Sequence, residues 1–217
     1  MNKRLLLILI GVSATLAIIA QHQQEAVFMA LKPLTTILII ILAWRVGSEQ
    51  PREHVNIMLV ALVFCLLGDV FLLREDYFVF GLSAFLVAHL LFAWIFTRLA
   101  TVPSWSLPSL LSMLALLAIS IVYFRYLMPH LGELLIPVAA YILCIMFMCW
   151  QAIRVQLSWR NPGSMAVAIG ALLFVFSDSI IALNKFLMPF ELSGLVILSS
   201  YWAAITLLAF NVTSIKR

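Results

Sequence analysis

Eight long apolar runs, separated by short polar breaks, constrain this chain more than any other feature of its sequence. Each run has about 16–22 residues, the length that an α-helix needs to cross the hydrocarbon core of a bilayer. Lipid offers the backbone no hydrogen-bond partner, and a helix satisfies its own backbone groups. The sequence therefore predicts an all-α, polytopic membrane bundle with eight transmembrane helices, at 5–20, 27–46, 55–73, 78–97, 108–128, 134–153, 164–183 and 190–212.

The composition agrees with a membrane protein and leaves little room for anything else. The chain is 65% hydrophobic and 10% charged, whereas soluble domains are about 45–50% apolar and about 25% charged. No polar stretch is long enough for a separate soluble domain, so we expect one membrane domain over residues 1–217. The first run lacks a good small-residue cleavage pattern, and we interpret it as a retained helix rather than a signal peptide. The basic residues are scattered, which argues against nucleic-acid binding.

The basic residues divide unequally between the two sides of the predicted bundle. Three of them, Arg74, Arg125 and Lys185, lie on the side opposite the termini. Cytoplasmic loops of membrane proteins carry the excess of lysine and arginine. We therefore predict a multi-pass protein of the cell (inner) membrane with both termini in the cytoplasm. The nine basic residues on the side of the termini are Lys3, Arg4, Arg45, Arg52, Arg98, Arg154, Arg160, Lys216 and Arg217.

Asp69 and Asp178 lie well inside the third and seventh predicted helices, and Lys32 lies inside the second. A carboxylate near the centre of a transmembrane helix costs roughly 2.5–3.5 kcal/mol on insertion. From the helical rise, the three residues lie about 6–8 Å below the same side of the bundle and so share one layer. We interpret the aspartates as catalytic candidates and Lys32 as their support. Structural ties between helices, or a lysine that merely neutralises one aspartate, are the alternatives.

Five further polar residues complete the candidate site as substrate-binding or supporting groups: His89, Tyr141, Asn184, Lys185 and Tyr201. His89 and Tyr201 lie deeper and are candidates for a cavity floor. The alternatives are that His89 is a core histidine satisfied by a neighbouring helix and that Tyr201 serves only in packing. Asn184 and Lys185 end the seventh helix, where a cap and an interfacial anchor are the default interpretations. Lys185 follows Asp178 by seven residues, which places it on the same helical face, within reach of a polar headgroup.

An internal similarity relates the two halves of the chain. Residues 68–85 resemble residues 177–195 at an offset of about 110, and the two aspartates fall at equivalent positions. This predicts a parallel repeat of four helices plus four, with the aspartates facing each other across one cavity; chance similarity between apolar sequences is the alternative. Other equivalent positions at this offset are Lys32 with Tyr141, and His89 with Ser199, close to Tyr201.

Two carboxyls in one cavity of low dielectric constant cannot both ionise without a large desolvation cost. We expect one to stay protonated and the other to be ionised, giving a general acid beside a general base for cleavage by water. A metal bound by His89 and the aspartates is the alternative, but no local pair such as His-x-x-x-His supports it, and no metal is predicted. The sequence also lacks a Gly-x-Ser-x-Gly elbow and a phosphate-binding glycine loop, which argues against serine-esterase and nucleotide chemistry.

Several motifs carry a family resemblance: Lys32-Pro33-Leu34, Gly68-Asp69-x-x-Leu72-Leu73, His89, Phe176-Ser177-Asp178-Ser179-x-x-Ala182-x-Asn184-Lys185-Phe186, and Tyr201-Trp202-x-Ala204. Over nearly its whole length the chain resembles the YhhN-like lysoplasmalogenase family. It departs from the family pattern at Ile205, where glutamine is usual, and at Phe92, where an aromatic hydroxyl is common. Either departure could alter substrate contacts.

The resemblance implies hydrolysis of the vinyl-ether bond of a lysoplasmalogen, or a related lysolipid, to a fatty aldehyde and a glycerophospho-headgroup. It implies Asp69 and Asp178 as the acid–base pair, in either order, a lysophospholipid within the bilayer as the partner, and no cofactor. A proton-coupled transporter of lipids or small molecules would use the same intramembrane aspartates, and a non-catalytic scaffold would use them for packing.

Overall fold

A computed structural model of the protein describes residues 2–21, 23–47, 52–212 and 215. In this part of the chain eight helices are long and apolar enough to cross a membrane, which confirms the predicted all-α, multi-pass architecture. They are α1 (Lys3–Ala20), α2 (Glu25–Gly47), α3 (Arg52–Phe71), α4 (Phe78–Leu99), α5 (Leu107–Leu127), α6 (Leu135–Trp159), α7 (Pro162–Phe186) and α8 (Ser193–Asn211). Single turns of 3₁₀ helix lie in the loops at Glu75–Tyr77, Met128–His130 and Gly132–Leu134.

The helix ends lie within a few residues of the predicted ones, except that α6 continues six residues beyond 153. The added segment contains polar residues, and several of their groups form hydrogen bonds within the protein. The Arg154 guanidinium donates to the side-chain oxygen of Gln151 at 2.6 Å and to the carbonyl of Val102, in the loop after α4, at 2.7 Å. The helix stops where Arg160 adopts a left-handed conformation, with φ of 48°. Hydropathy alone therefore ended this helix too early.

Six helices form a closed ring in the order α2, α3, α4, α6, α7 and α8, with α8 packed against α2. Helix α1 packs outside the ring against α2 and α8, and α5 packs outside it against α6 and α7. In this order α3 and α7 occupy opposite positions. The two helices that carry the intramembrane aspartates therefore face each other across the ring.

The bundle interior is filled by large apolar side chains, and its outer faces are also apolar. Phe92, Phe96 and Phe174 are fully buried in the core. Exposed positions on the outward faces of the helices hold residues such as Ile119 and Ile136. Apolar side chains on both the inside and the outside fit a bundle surrounded by lipid, where intramembrane polar groups face the interior.

Gly68, directly before Asp69, allows α4 to approach α3 closely. A Cβ atom at this position would lie 2.5–2.8 Å from three ring atoms of Phe85. The missing side chain therefore gives space to a phenylalanine that forms part of the wall of the site described next.

Candidate active site

Asp69 lies near the end of α3 and is buried, with 1% of its surface exposed. Its Oδ2 atom accepts hydrogen bonds from the hydroxyl of Thr36 at 2.5 Å and from the hydroxyl of Tyr201 at 2.9 Å. The ammonium of Lys32 lies 4.0 Å from the other carboxylate oxygen. Two donors and a cation are the surroundings that stabilise an ionised carboxylate in a buried position.

Thr36 and Trp202 extend this network and were not predicted as site residues. The indole N–H of Trp202 points at the Thr36 hydroxyl at 3.4 Å, and that hydroxyl donates to Asp69. Thr36 lies one helical turn after Lys32, so the (i, i+4) spacing places both side chains on one face of α2. That spacing is the signal from which Thr36 could have been found.

Asp178 has a different set of neighbours on the opposite side of the ring. The hydroxyl of Tyr141 donates to its Oδ2 atom, and Nε2 of His89 lies 3.6 Å from the same oxygen. Nδ1 of His89 lies 2.6 Å from the carbonyl oxygen of Phe85. Because a carbonyl only accepts, Nδ1 carries the proton. The ring is fully buried, which disfavours its charged form, so Nε2 presents a lone pair to Asp178. Nε2 has no hydrogen-bond partner among the described residues. Its distance to Asp178 is beyond hydrogen-bonding range, and a small approach would let a protonated Asp178 carboxyl donate to it.

The contacts of the two aspartates are arranged crosswise. Each carboxyl contacts a residue of the helix before its own: Asp69 contacts Lys32 on α2, and Asp178 contacts Tyr141 on α6. Each also contacts a residue of the last helix in the other half of the chain: Asp69 contacts Tyr201 on α8, and Asp178 contacts His89 on α4. Lys32 and Tyr141 are the equivalents that the sequence offset gave, and His89 and Tyr201 fall near equivalence. The internal repeat stays a prediction, and this contact pattern is what it would produce.

Both aspartates line one cavity of about 250 Å³. The structure thus brings together all but two of the residues proposed from the sequence on a single cavity wall. Tyr141 lies behind Asp178, and His89 contacts Asp178 from the core rather than lining the cavity. The other polar and charged residues of the wall are Gln21, Lys32, Arg74, Glu75, Asn184, Lys185 and Tyr201.

The cavity reaches the end of the bundle where α3 ends and α4 begins, and charged residues surround it there. Lys185 lies 3.1 Å from the exposed carboxylate of Glu75, and Arg74 lines the same region. The side-chain oxygen of Asn184 accepts the backbone N–H of Phe190 at 3.2 Å, so it ties the turn between α7 and α8. Arg74 and Glu75 were missed because they lie in the loop after α3, outside the predicted helices.

A second, apolar hollow of about 50 Å³ adjoins the cavity between α4, α6 and α7. Asp178 and Phe85 line both spaces. The hollow was not predicted, since it depends on the rotation of α6 and α7 about their axes.

Phe92 and Ile205, the two departures from the family pattern, line neither space. Both are fully buried, and the Phe92 ring packs against Phe96 and Phe174. Both side chains lie in the core rather than on the wall of either space, and an effect on substrate contacts stays a prediction. In the described residues, no group of three or more histidine, cysteine, aspartate or glutamate side chains is placed to hold a metal ion.

The fold and the cavity together define a polytopic membrane protein built around two carboxyls inside the bundle. The model of the YhhN family matches residues 27–212, and this chain belongs to the YhhN family. The resemblance drawn from the motifs is thereby confirmed.

Curated relatives cover most of the chain. Lysoplasmalogenase TMEM86A of Bos taurus is 33% identical over 186 residues, which are 82% of this chain and 74% of the relative. Lysoplasmalogenase TMEM86B of Rattus norvegicus is 29% identical over 194 residues, 89% of this chain and 76% of the relative. The lysoplasmalogenase of Mycobacterium bovis is 35% identical over 129 residues, 58% of this chain and 48% of the relative. No solved structure matches the chain significantly.

Proposed function

We propose that this chain is a membrane lysoplasmalogenase, which hydrolyses the vinyl-ether bond of a lysoplasmalogen or related lysolipid to a fatty aldehyde and a glycerophospho-headgroup. The observation that carries the proposal is the single cavity lined by both Asp69 and Asp178, in a member of a family whose curated relatives are named lysoplasmalogenases. A transporter would use the same carboxyls, but these relatives carry the name of an enzyme.

Asp178 is the proton donor in this mechanism. Its carboxyl contacts His89 and accepts one hydroxyl hydrogen bond, from Tyr141. Asp69 accepts two hydroxyl hydrogen bonds and lies beside the Lys32 ammonium. The charged form is therefore stabilised less at Asp178, and Asp178 is the carboxyl that keeps the proton. The proton passes to the alkenyl carbon β to the ether oxygen. The carbon–carbon double bond becomes a single bond, and an oxocarbenium ion forms between the α-carbon and the oxygen.

Asp69 is the base that activates water. Lys32, Thr36 and Tyr201 hold it as a carboxylate, so it can accept a proton while a water oxygen bonds to the α-carbon. The product is a hemiacetal. As the hemiacetal collapses, Asp69 returns its proton to the departing glyceryl oxygen, and the hemiacetal hydroxyl proton goes to Asp178. One water is consumed, one aldehyde and one alcohol form, and both carboxyls regain their starting states.

The charged entrance of the cavity suits a phosphodiester headgroup. Arg74 and Lys185 both line it and supply the cationic donors that phosphate oxygens prefer. We place both termini in the cytoplasm of a cell membrane, so the entrance faces the outer side. Arg74 and Lys185 are then two of only three basic residues on a side where lysine and arginine are scarce, which favours a binding role for them.

The test is the release of aldehyde from a defined lysoplasmalogen by the purified protein in detergent micelles. Product mass spectrometry should show the aldehyde and the glycerophospho-headgroup in equal amounts. The matching lysolipid with a saturated ether should not be cleaved, because it cannot form the oxocarbenium ion by protonation. Added chelator should leave the rate unchanged. Absence of aldehyde from well-folded protein with every headgroup and chain tested would reject the proposal.

A further inference from the structure

The polar cavity and the apolar hollow meet at Asp178, and this junction has the polarity pattern of a lysolipid. On one side lie the charged residues of the cavity entrance. On the other lie aliphatic and aromatic side chains of α4, α6 and α7. In a lysoplasmalogen the vinyl-ether bond itself joins the polar headgroup portion to the hydrocarbon chain. Asp178 therefore lies at the boundary between polar and apolar space in the protein, as the scissile bond lies at the boundary between the polar and apolar parts of the substrate.

We propose that the apolar hollow binds the alkenyl chain of the substrate next to its double bond, with the headgroup in the polar cavity and the vinyl ether across Asp178. This inference rests on the proposed function and adds the residues that determine chain selectivity. The hollow is lined by Val138, Ile142, Ile145, Met146 and Val175, among others.

The polar groups that border the hollow are already satisfied, so an apolar ligand leaves none of them unpaired. The Tyr123 hydroxyl donates to the carbonyl of Ser179, and the Ser179 hydroxyl donates to the carbonyl of Val175 at 2.7 Å. The Tyr141 hydroxyl donates to Asp178. An unpaired polar group against hydrocarbon would oppose binding of a lipid chain. The hydroxyls are instead turned into the protein, and the surface that remains is hydrocarbon.

Neighbouring residues on α6 provide a matched pair of variants. Ile142 lines the hollow and is 8% exposed, whereas Leu143 is 62% exposed on the outer face. Ile142→Phe fills the hollow and Ile142→Val enlarges it by one methylene; Leu143→Phe and Leu143→Val make changes of similar size facing away from the hollow. The measured quantity is kcat/KM for lysoplasmalogens that carry either a straight chain or a methyl branch beside the double bond.

We expect Ile142→Phe to lower kcat/KM for the branched substrate, relative to the straight one, by about tenfold or more, the usual effect of a methylene in a filled apolar pocket. Ile142→Val should shift the same ratio towards the branched chain, while both Leu143 variants keep the ratio of the unaltered protein. Ile142→Val is conservative enough to test the proposal if Ile142→Phe does not fold. Equal ratios for the Ile142→Val and Leu143→Val variants would overturn it.

A second readout does not depend on turnover. A saturated-ether lysolipid with a photoreactive diazirine on the first carbons of its chain should crosslink to the peptides of α6 and α7 that line the hollow. Crosslinks confined to the outer faces of other helices would overturn the chain assignment. Failure of the proposed function would be seen separately, as a lack of aldehyde from the unaltered protein whatever the crosslinking pattern.

Discussion

The hydroxyl of Tyr201 donates to the carboxylate of Asp69, a residue 132 positions earlier in the chain. This bond joins α8 to α3 and completes the shell of donors around the aspartate proposed as the base. Because its two members come from opposite halves of the chain, the base is correctly surrounded only when the ring of helices has closed.

Tyr201→Phe removes this donor and keeps the aromatic ring that packs against Phe85 and Phe174. A hydrogen bond to a charged group contributes about 1.5–3 kcal/mol, so we expect kcat to fall by roughly tenfold to a hundredfold. Steady-state aldehyde release measures the effect. Tyr126→Phe, on an exposed face of α5, is the control and should behave like the unaltered protein.

Asp69→Asn and Asp178→Asn should each abolish most of the turnover. General acid–base groups contribute about 10²–10⁴-fold to rate, and an amide can neither donate the required proton nor accept one. Asp76→Asn alters an exposed carboxylate in the loop after α3 and should leave the rate unchanged. Full activity in either site variant would show that the acid–base mechanism is wrong, even if the chain cleaves vinyl ethers.

Lys185→Gln should weaken the binding of substrates that carry a phosphodiester. The ammonium lies at the cavity entrance beside the exposed Glu75, and a partly exposed charge pair contributes up to about 1 kcal/mol. We therefore expect KM to rise by about fivefold for a lysoplasmalogen, with no matching rise for a 1-alkenylglycerol that has no headgroup. Arg125→Gln removes an exposed cation from the same end of the bundle and is the control. An equal rise for both substrates would contradict a headgroup contact.

Gly68→Ala should destabilise the bundle, because the added Cβ atom would collide with the ring of Phe85. Overpacking of this kind costs about 1–3 kcal/mol and can be followed as a lower midpoint of thermal unfolding in detergent. Gly11→Ala on α1 meets no atom within 4 Å of its Cβ and should be neutral or stabilising. Equal unfolding midpoints for the two variants would show that the Phe85 ring moves aside without a loss of stability.

The proposed orientation can be tested with reporters fused to the chain. A reporter that is active only in the cytoplasm should be active at either terminus and inactive in the loop between α5 and α6. The opposite pattern would place the cavity entrance on the cytoplasmic side and would remove the charge argument for Arg74 and Lys185.

The sequence predicted the eight helices because the length and hydropathy of each run depend on the bilayer rather than on tertiary contacts. Helical rise also placed Lys32, Asp69 and Asp178 in one layer, and the structure has all three on one cavity wall.

Other features of the site depend on how neighbouring helices are rotated and packed. The donations from Thr36 to Asp69 and from Tyr141 to Asp178 require the approach of particular helix faces. The same is true of the hollow beside Asp178, which takes its walls from several helices. A single sequence gives periodicity along each helix but not the angle at which it meets its neighbours.

The common wall that Asp178 gives to the two spaces also bears on the fate of the products. In the proposed reaction, cleavage at that wall leaves the oily fragment in the hollow and the water-soluble fragment in the cavity. The two products are therefore partitioned at the moment they form, which disfavours their recombination.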